Sequence, residues 1–221
     1  EINYSKVPSC AMKRLKYAFM RHSPCLFQEW NDKLLKNDVS VNAKQLNPNE
    51  LVKEVRLKGV ADEVCEAQWR VLEDSVKELD SLHDCLVVVD TSESMQNNNY
   101  TPLDVSIALG LIISKATKGV FHNNVLTFNS VPTFVHINEG SLFERYTQMK
   151  NIPWGGKTNI QATFDLILNR ALENHITQED MPKKLFVISD MQFDQVDEDY
   201  ISRENKTDLQ VIDEKYKNYG Y

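Results

Sequence analysis

The residues of this chain whose types and spacing could do chemistry are Asp90-Thr91-Ser92-Glu93-Ser94, Thr158 and Asp190. Asp90 and Asp190 offer carboxylates and Ser92, Ser94 and Thr158 offer hydroxyls, with no Cys or His among them. A donor set made only of hard oxygen suits a small hard cation that takes octahedral oxygen geometry and keeps some of its waters. Mg2+ is the expected ion, and Mn2+ is the second candidate. The three stretches are far apart in the chain, so the chemistry depends on elements that bring them to one place.

Those elements are readable. Cys85-Leu86-Val87-Val88-Val89 is a short continuous apolar run, the pattern of a strand buried on both faces of a parallel sheet, and it ends on Asp90. After a polar loop, Thr101-Pro102-Leu103-Asp104 reads as the start of a helix whose apolar face is Val105, Ala108, Leu109, Ile112, Ile113 and Ala116, with Gly119 as its stop. Val125 to Phe128 and Val131 to Ile137 read as strands around an Asn129-Ser130 turn, and Leu142 to Met149 as a short helix. Thr158 sits in the loop Pro153-Trp154-Gly155-Gly156-Lys157-Thr158, just before a helix expected from Asn159. Leu185-Phe186-Val187-Ile188-Ser189 is a second apolar strand read as buried, ending on Asp190, and Asp208 to Asn218 is helical. Alternating strand and helix predict an α/β, doubly wound, mostly parallel sheet. In such sheets ligands bind in the crevice outside the carboxyl ends of the strands, which is where Asp90 and Asp190 fall.

Residues 1 to 82 form a helical arm by this reading, and 83 to 221 the α/β domain. The arm has one Gly, Gly59, and helical spacing in Phe27, Trp30 and Leu34 and in Val64, Gln68, Val71, Leu72, Val76 and Leu79. Pro24 breaks its first helical stretch, and Asn47-Pro48-Asn49-Glu50 opens a later helix with a cap, a Pro at the first position and a Glu at the third. The net charge of -7 argues against non-specific duplex binding and against an anionic membrane surface, both of which call for a basic footprint. Residues 1 to 36 nonetheless carry seven basic side chains (Lys6, Lys13, Arg14, Lys16, Arg21, Lys33, Lys36) against three acidic ones, which leaves a local RNA contact through the arm open. Four widely spaced cysteines make neither a disulfide framework nor a zinc set, so reduced thiols and a cytoplasmic location are expected.

Competing chemistries fit less well. Gly156-Lys157-Thr158 lacks the earlier Gly of a phosphate loop, since Asn151 stands there. Ser92 occupies the place of the second Asp that an aspartate-nucleophile phosphatase needs, and the five histidines show no triad or ligand spacing. The acidic run from Asp190 to Asp199 lacks the Gly and bidentate Glu of a calcium loop and reads as a solvated face. No enzymatic activity is expected.

Asp90-x-Ser92-x-Ser94, a Thr in a Gly-rich loop and an Asp ending a later strand resemble the metal-ion-dependent adhesion site of von Willebrand factor A domains, over about residues 83 to 221. The resemblance implies that Ser92, Ser94 and Thr158 are hydroxyl ligands, that Asp90 and Asp190 hold the ion directly or through water, and that one coordination position is left for an Asp or Glu carboxylate of a protein partner. The stretches Val-Val-Asp-Thr-Ser-Glu-Ser-Met and Ile-Ser-Asp-Met-Gln-Phe-Asp, with an upstream helical arm containing Trp69, resemble a narrower group of intracellular proteins. These carry a C-terminal A-type domain related to that of the Ro ribonucleoproteins. That relation implies the alternative of an RNA-associated protein with the A domain as scaffold. Glu93 departs from the family, which usually has Gly there, and its side chain is expected to face solvent. The family's last strands have no counterpart before Tyr221, so the sheet is expected to be abbreviated or completed by residues outside this chain.

Overall fold

The computed structural model of the protein describes residues 2–153, 159–189 and 208–221. Four helices come first: α1 (Ser9–His22), α2 (Pro24–Leu35), α3 (Pro48–Lys58) and α4 (Glu63–Lys77). Their boundaries follow local chemistry. Pro24 and Pro48 each stand at a helix start, where a missing N–H costs nothing. Gly59 closes α3 at φ +69°, a left-handed geometry that side chains resist, and the Asp62 carboxylate caps α4 by accepting the Cys65 N–H at 3.0 Å. The expected cap at Asn47 makes no side-chain bond; Glu50 is drawn instead to Lys13, 2.9 Å away.

Strand β1 (Cys85–Asp90) is buried along its whole length. It pairs in parallel with β2 (Asn124–Phe128) on one side and β4 (Lys184–Ile188) on the other, and β3 (Phe134–His136) adds antiparallel to β2, giving the order β3-β2-β1-β4. The architecture is thus α/β with a mixed, mostly parallel sheet, as expected. Because side chains alternate along a strand, each apolar run feeds two layers. Val87, Val89 and Val125 pack under helix α5 (Asn97–Ala116) with α6 (Leu142–Lys150), whereas Leu86, Val88, Leu126 and Phe128 pack against α7 (Ile160–Glu173). The last helix, α8 (Asp208–Asn218), lies on α7, with Tyr216 donating from its hydroxyl to the Phe164 carbonyl at 2.8 Å.

Three boundaries and the place of one strand differ from the sequence reading. α5 begins at Asn97 and carries Pro102 inside it, because a 3-10 turn over Glu93–Gln96 runs straight into the helix and burial of Leu103, Ile107 and Leu111 outweighs one lost backbone bond. It stops at Ala116, where the Thr117 hydroxyl donates to the Ile113 and Cys85 carbonyls, each at 3.0 Å. β3 is only three residues long, since Pro132 can donate no ladder bond and Val131 is 74% exposed. The sequence predicts a buried strand for β4, but among the described residues it lies at the sheet edge with Phe186 and Val187 exposed on opposite faces. Its apolar run looks like that of β1, and periodicity cannot distinguish an edge from a centre.

The arm and the sheet share a core. Leu51, Val52 and Val55 of α3 and Cys65, Trp69 and Leu72 of α4 belong to one buried cluster with Val87, Val89, Ile107 and Leu111. A second cluster, made of Tyr4, Met12, Phe27, Trp30 and Leu34, closes the arm on its far side.

Candidate metal centre

β1 delivers Asp90 to the carboxyl end of the sheet with none of its surface exposed. Two bonds hold its carboxylate. Oδ1 accepts the backbone N–H of Ser92 at 2.8 Å, which folds the loop back over the strand end, and Oδ2 accepts the hydroxyl of Ser189. The turn of the loop brings the Ser92 and Ser94 hydroxyl oxygens to 3.0 Å from each other, and the buried Met95 pins its far side. Glu93 is exposed, as expected. The neighbouring strand end braces the same loop: Asn129, just past β2, donates to the Thr91 hydroxyl at 3.2 Å and accepts the Val131 N–H at 3.1 Å.

Of the five residues singled out in the sequence, the structure therefore brings Asp90, Ser92 and Ser94 together. Thr158 and Asp190 lie outside the described residues. No group of three or more His, Cys, Asp or Glu side chains among the described residues is placed to hold a metal. The described part of this centre consists of hydroxyls around one carboxylate. Such a donor set fits a hard cation and offers none of the imidazole or thiolate groups that Zn2+ and Cu2+ favour.

Sequence reasoning missed Ser189 and Asn129. The signal for Ser189 was present: aligning Leu86-Val87-Val88-Val89-Asp90 with Leu185-Phe186-Val187-Ile188-Ser189 sets Ser189 beside Asp90, and the observed register, with Val89 opposite Ile188, does the same.

Other groups stand apart from this edge. A cavity of about 280 Å³ lined by His83, Asp84, Lys118 and Glu179 lies at the opposite end of β1, beside Cys85. All four cysteines are free, and burial, helped by the Glu54 charge, pushes the Cys65 thiol up to about 12, so it stays protonated. In the arm, Lys16 is buried and ion-pairs with Glu54 at 2.7 Å and Asp62 at 2.6 Å. Burial opposes its charge, yet these two carboxylates outweigh that and hold its pKa above the ordinary 10.5. Among the described residues no helix is long and apolar enough to cross a membrane.

Residues 84–221 match the family model of DUF7788, a domain of unknown function, and residues 1–82 match DUF2828, also described as a domain of unknown function. The chain is similar to "Uncharacterized protein L728" of Acanthamoeba polyphaga mimivirus, 32% identical over 210 residues. That alignment takes in 89% of this chain and 36% of the viral protein, so the chain spans about a third of its relative's length. No solved structure matches it.

Proposed function

We propose that this chain, which belongs to the DUF7788 family over residues 84–221, is a divalent-metal-dependent protein-binding module of the von Willebrand A type. In this reading Mg2+, or Mn2+ in its place, is held by Asp90, Ser92 and Ser94 together with Thr158 and Asp190, and a partner's Asp or Glu carboxylate completes its coordination. The observation that carries it is a wholly buried carboxylate at the carboxyl end of the central parallel strand, engaged at both oxygens and followed by two hydroxyls 3.0 Å apart. The ion would supply a fixed positive charge that few protein charges neutralise, which is what attracts a further carboxylate. The chain's own residues set the geometry and no bond is made or broken, so we read the module as non-enzymatic. Its free thiols fit a cytoplasmic setting.

The RNA-associated reading has weaker support. Lys13 and Lys16, two of the seven basic residues in the first 36, are paired with Glu50, Glu54 and Asp62 and are not presented as free charge to a phosphate backbone. Calorimetric titration with Mg2+ tests the primary reading: the wild-type chain is expected to bind one ion and Asp90→Ala none. Equal affinity in the two proteins would remove Asp90 from the site.

A further inference from the structure

The metal reading leaves unassigned the hydroxyl nearest Asp90, that of Ser189. The parallel register places Ser189 one step beyond the last paired residues, Val89 and Ile188, hence directly alongside Asp90 and on the same face of the sheet. Its Oγ donates to Asp90 Oδ2 while the Ser92 N–H donates to Oδ1. We propose that Ser189 is a positioning residue of the metal centre, clamping the Asp90 carboxylate between β1 and β4 so that its charge and the Ser92 and Ser94 hydroxyls keep one arrangement. This rests on the metal reading above and adds a residue to that site.

The physical case is that a lone carboxylate at a strand end has a free rotation about its last bond. One bond, from Ser92, fixes one oxygen from the loop that follows β1; the second, from Ser189, fixes the other from a different strand and removes that rotation. Each carboxylate oxygen has two lone pairs, so accepting Ser189 leaves Asp90 able to face an ion or its water shell. Partners of this kind, which orient a ligand without touching the metal, typically change metal affinity by about 10- to 100-fold when removed.

The test compares Ser189→Thr with Ser189→Val in the full chain, using Mg2+ alone as the probe in calorimetry and recording each protein's metal-free melting temperature. Thr and Val have nearly the same shape, and only Thr keeps the hydroxyl. Ser189→Val is expected to bind Mg2+ about 10- to 100-fold more weakly than wild type, and Ser189→Thr close to wild type. Comparable metal-free melting temperatures for the two would place the difference in the site and not in the fold. Equal affinity in both variants, whether strong or weak, overturns the role of Ser189 and leaves the metal reading standing. Absence of Mg2+ binding by the wild-type chain overturns both.

Discussion

Arg56 on α3 forks onto both oxygens of Asp104 on α5, its Nε donating to Oδ1 at 2.9 Å and its terminal nitrogen to Oδ2 at 3.0 Å. Asp104 is 1% exposed, so this is a buried, two-pronged pair that ties the arm to the helix which leads directly out of the Asp90 loop. Glu73 of α4 and Arg145 of α6 make a second buried pair across the same junction, and Glu66 accepts the Leu142 N–H at 2.8 Å, capping α6 from α4. The segments matched by two family models are thus joined by one core and by polar contacts that cross it.

Arg56→Ala is expected to destabilise the protein by about 3–5 kcal/mol, because it leaves Asp104 buried without a partner. The double substitution Arg56→Met with Asp104→Leu should recover most of that loss, since an apolar pair of similar volume needs no desolvation. Urea unfolding of the three proteins measures it; a single mutant as stable as wild type would mean that Asp104 finds water or another donor.

A fragment of residues 84–221 is expected not to fold cooperatively. Without α3 and α4, the apolar face of α5 around Ile107 and Leu111 is uncovered and Arg145 loses Glu73. Denaturant unfolding followed by circular dichroism checks this, and a sharp single transition close to that of the full chain would contradict it.

The Lys16 network sets the pH range of stability. Lys16 has a pKa raised above its ordinary 10.5, so its ion pairs contribute fully below that value and are lost as the pH rises through the folded pKa. Asp62 behaves oppositely: burial favours its neutral form, but the Lys16 partnership outweighs it and holds the pKa below the ordinary 3.8, so its contribution is lost as acid titrates it. Melting temperatures should therefore fall above pH 10.5, and Lys16→Met should flatten that alkaline limb. An unchanged limb in Lys16→Met would assign the alkaline loss to other groups.

Metal and partner should be separable at Thr158. Mg2+ at about 100 times its dissociation constant should stabilise the wild-type chain by about 2.7 kcal/mol and leave Asp90→Ala unmoved. A pull-down from cell extract with wild type and Thr158→Ala, each with and without EDTA, should retain a partner only in the metal-loaded wild type. The same proteins recovered in all four samples would mean that the metal face is not the binding surface.

The exposed strand β4 makes a prediction about association. Among the described residues it pairs only with β1, and Phe186 and Val187 are 37% and 48% exposed on its two faces. An apolar edge strand is a template for further pairing. The chain should self-associate as its concentration rises, and Val187→Lys should suppress this in sedimentation velocity. A monomer at all concentrations would show that the edge is covered.

The run from Cys85 to Asp90, the helix spacing of the arm and the helix start near Asn159 could be read in the sequence because each is set by neighbours within one or two turns of chain. α7 begins at Ile160, next to the expected start, and the structure adds the cap: Asn159 accepts the Ala162 N–H at 2.9 Å. The Asp-x-Ser-x-Ser pattern was legible for the same reason, since Asp90 and Ser92 bond across two residues. What only the tertiary structure decided is which of the described strands becomes an edge, that the arm shares the core of the sheet, and that Ser189 lies alongside Asp90. These depend on register and on which faces meet, and both are fixed by contacts between residues about fifty to a hundred positions apart, such as Arg56 with Asp104 and Ser189 with Asp90. Local periodicity contains no information about such pairs, because the same apolar run satisfies a central strand and an edge strand equally well until its neighbours are in place.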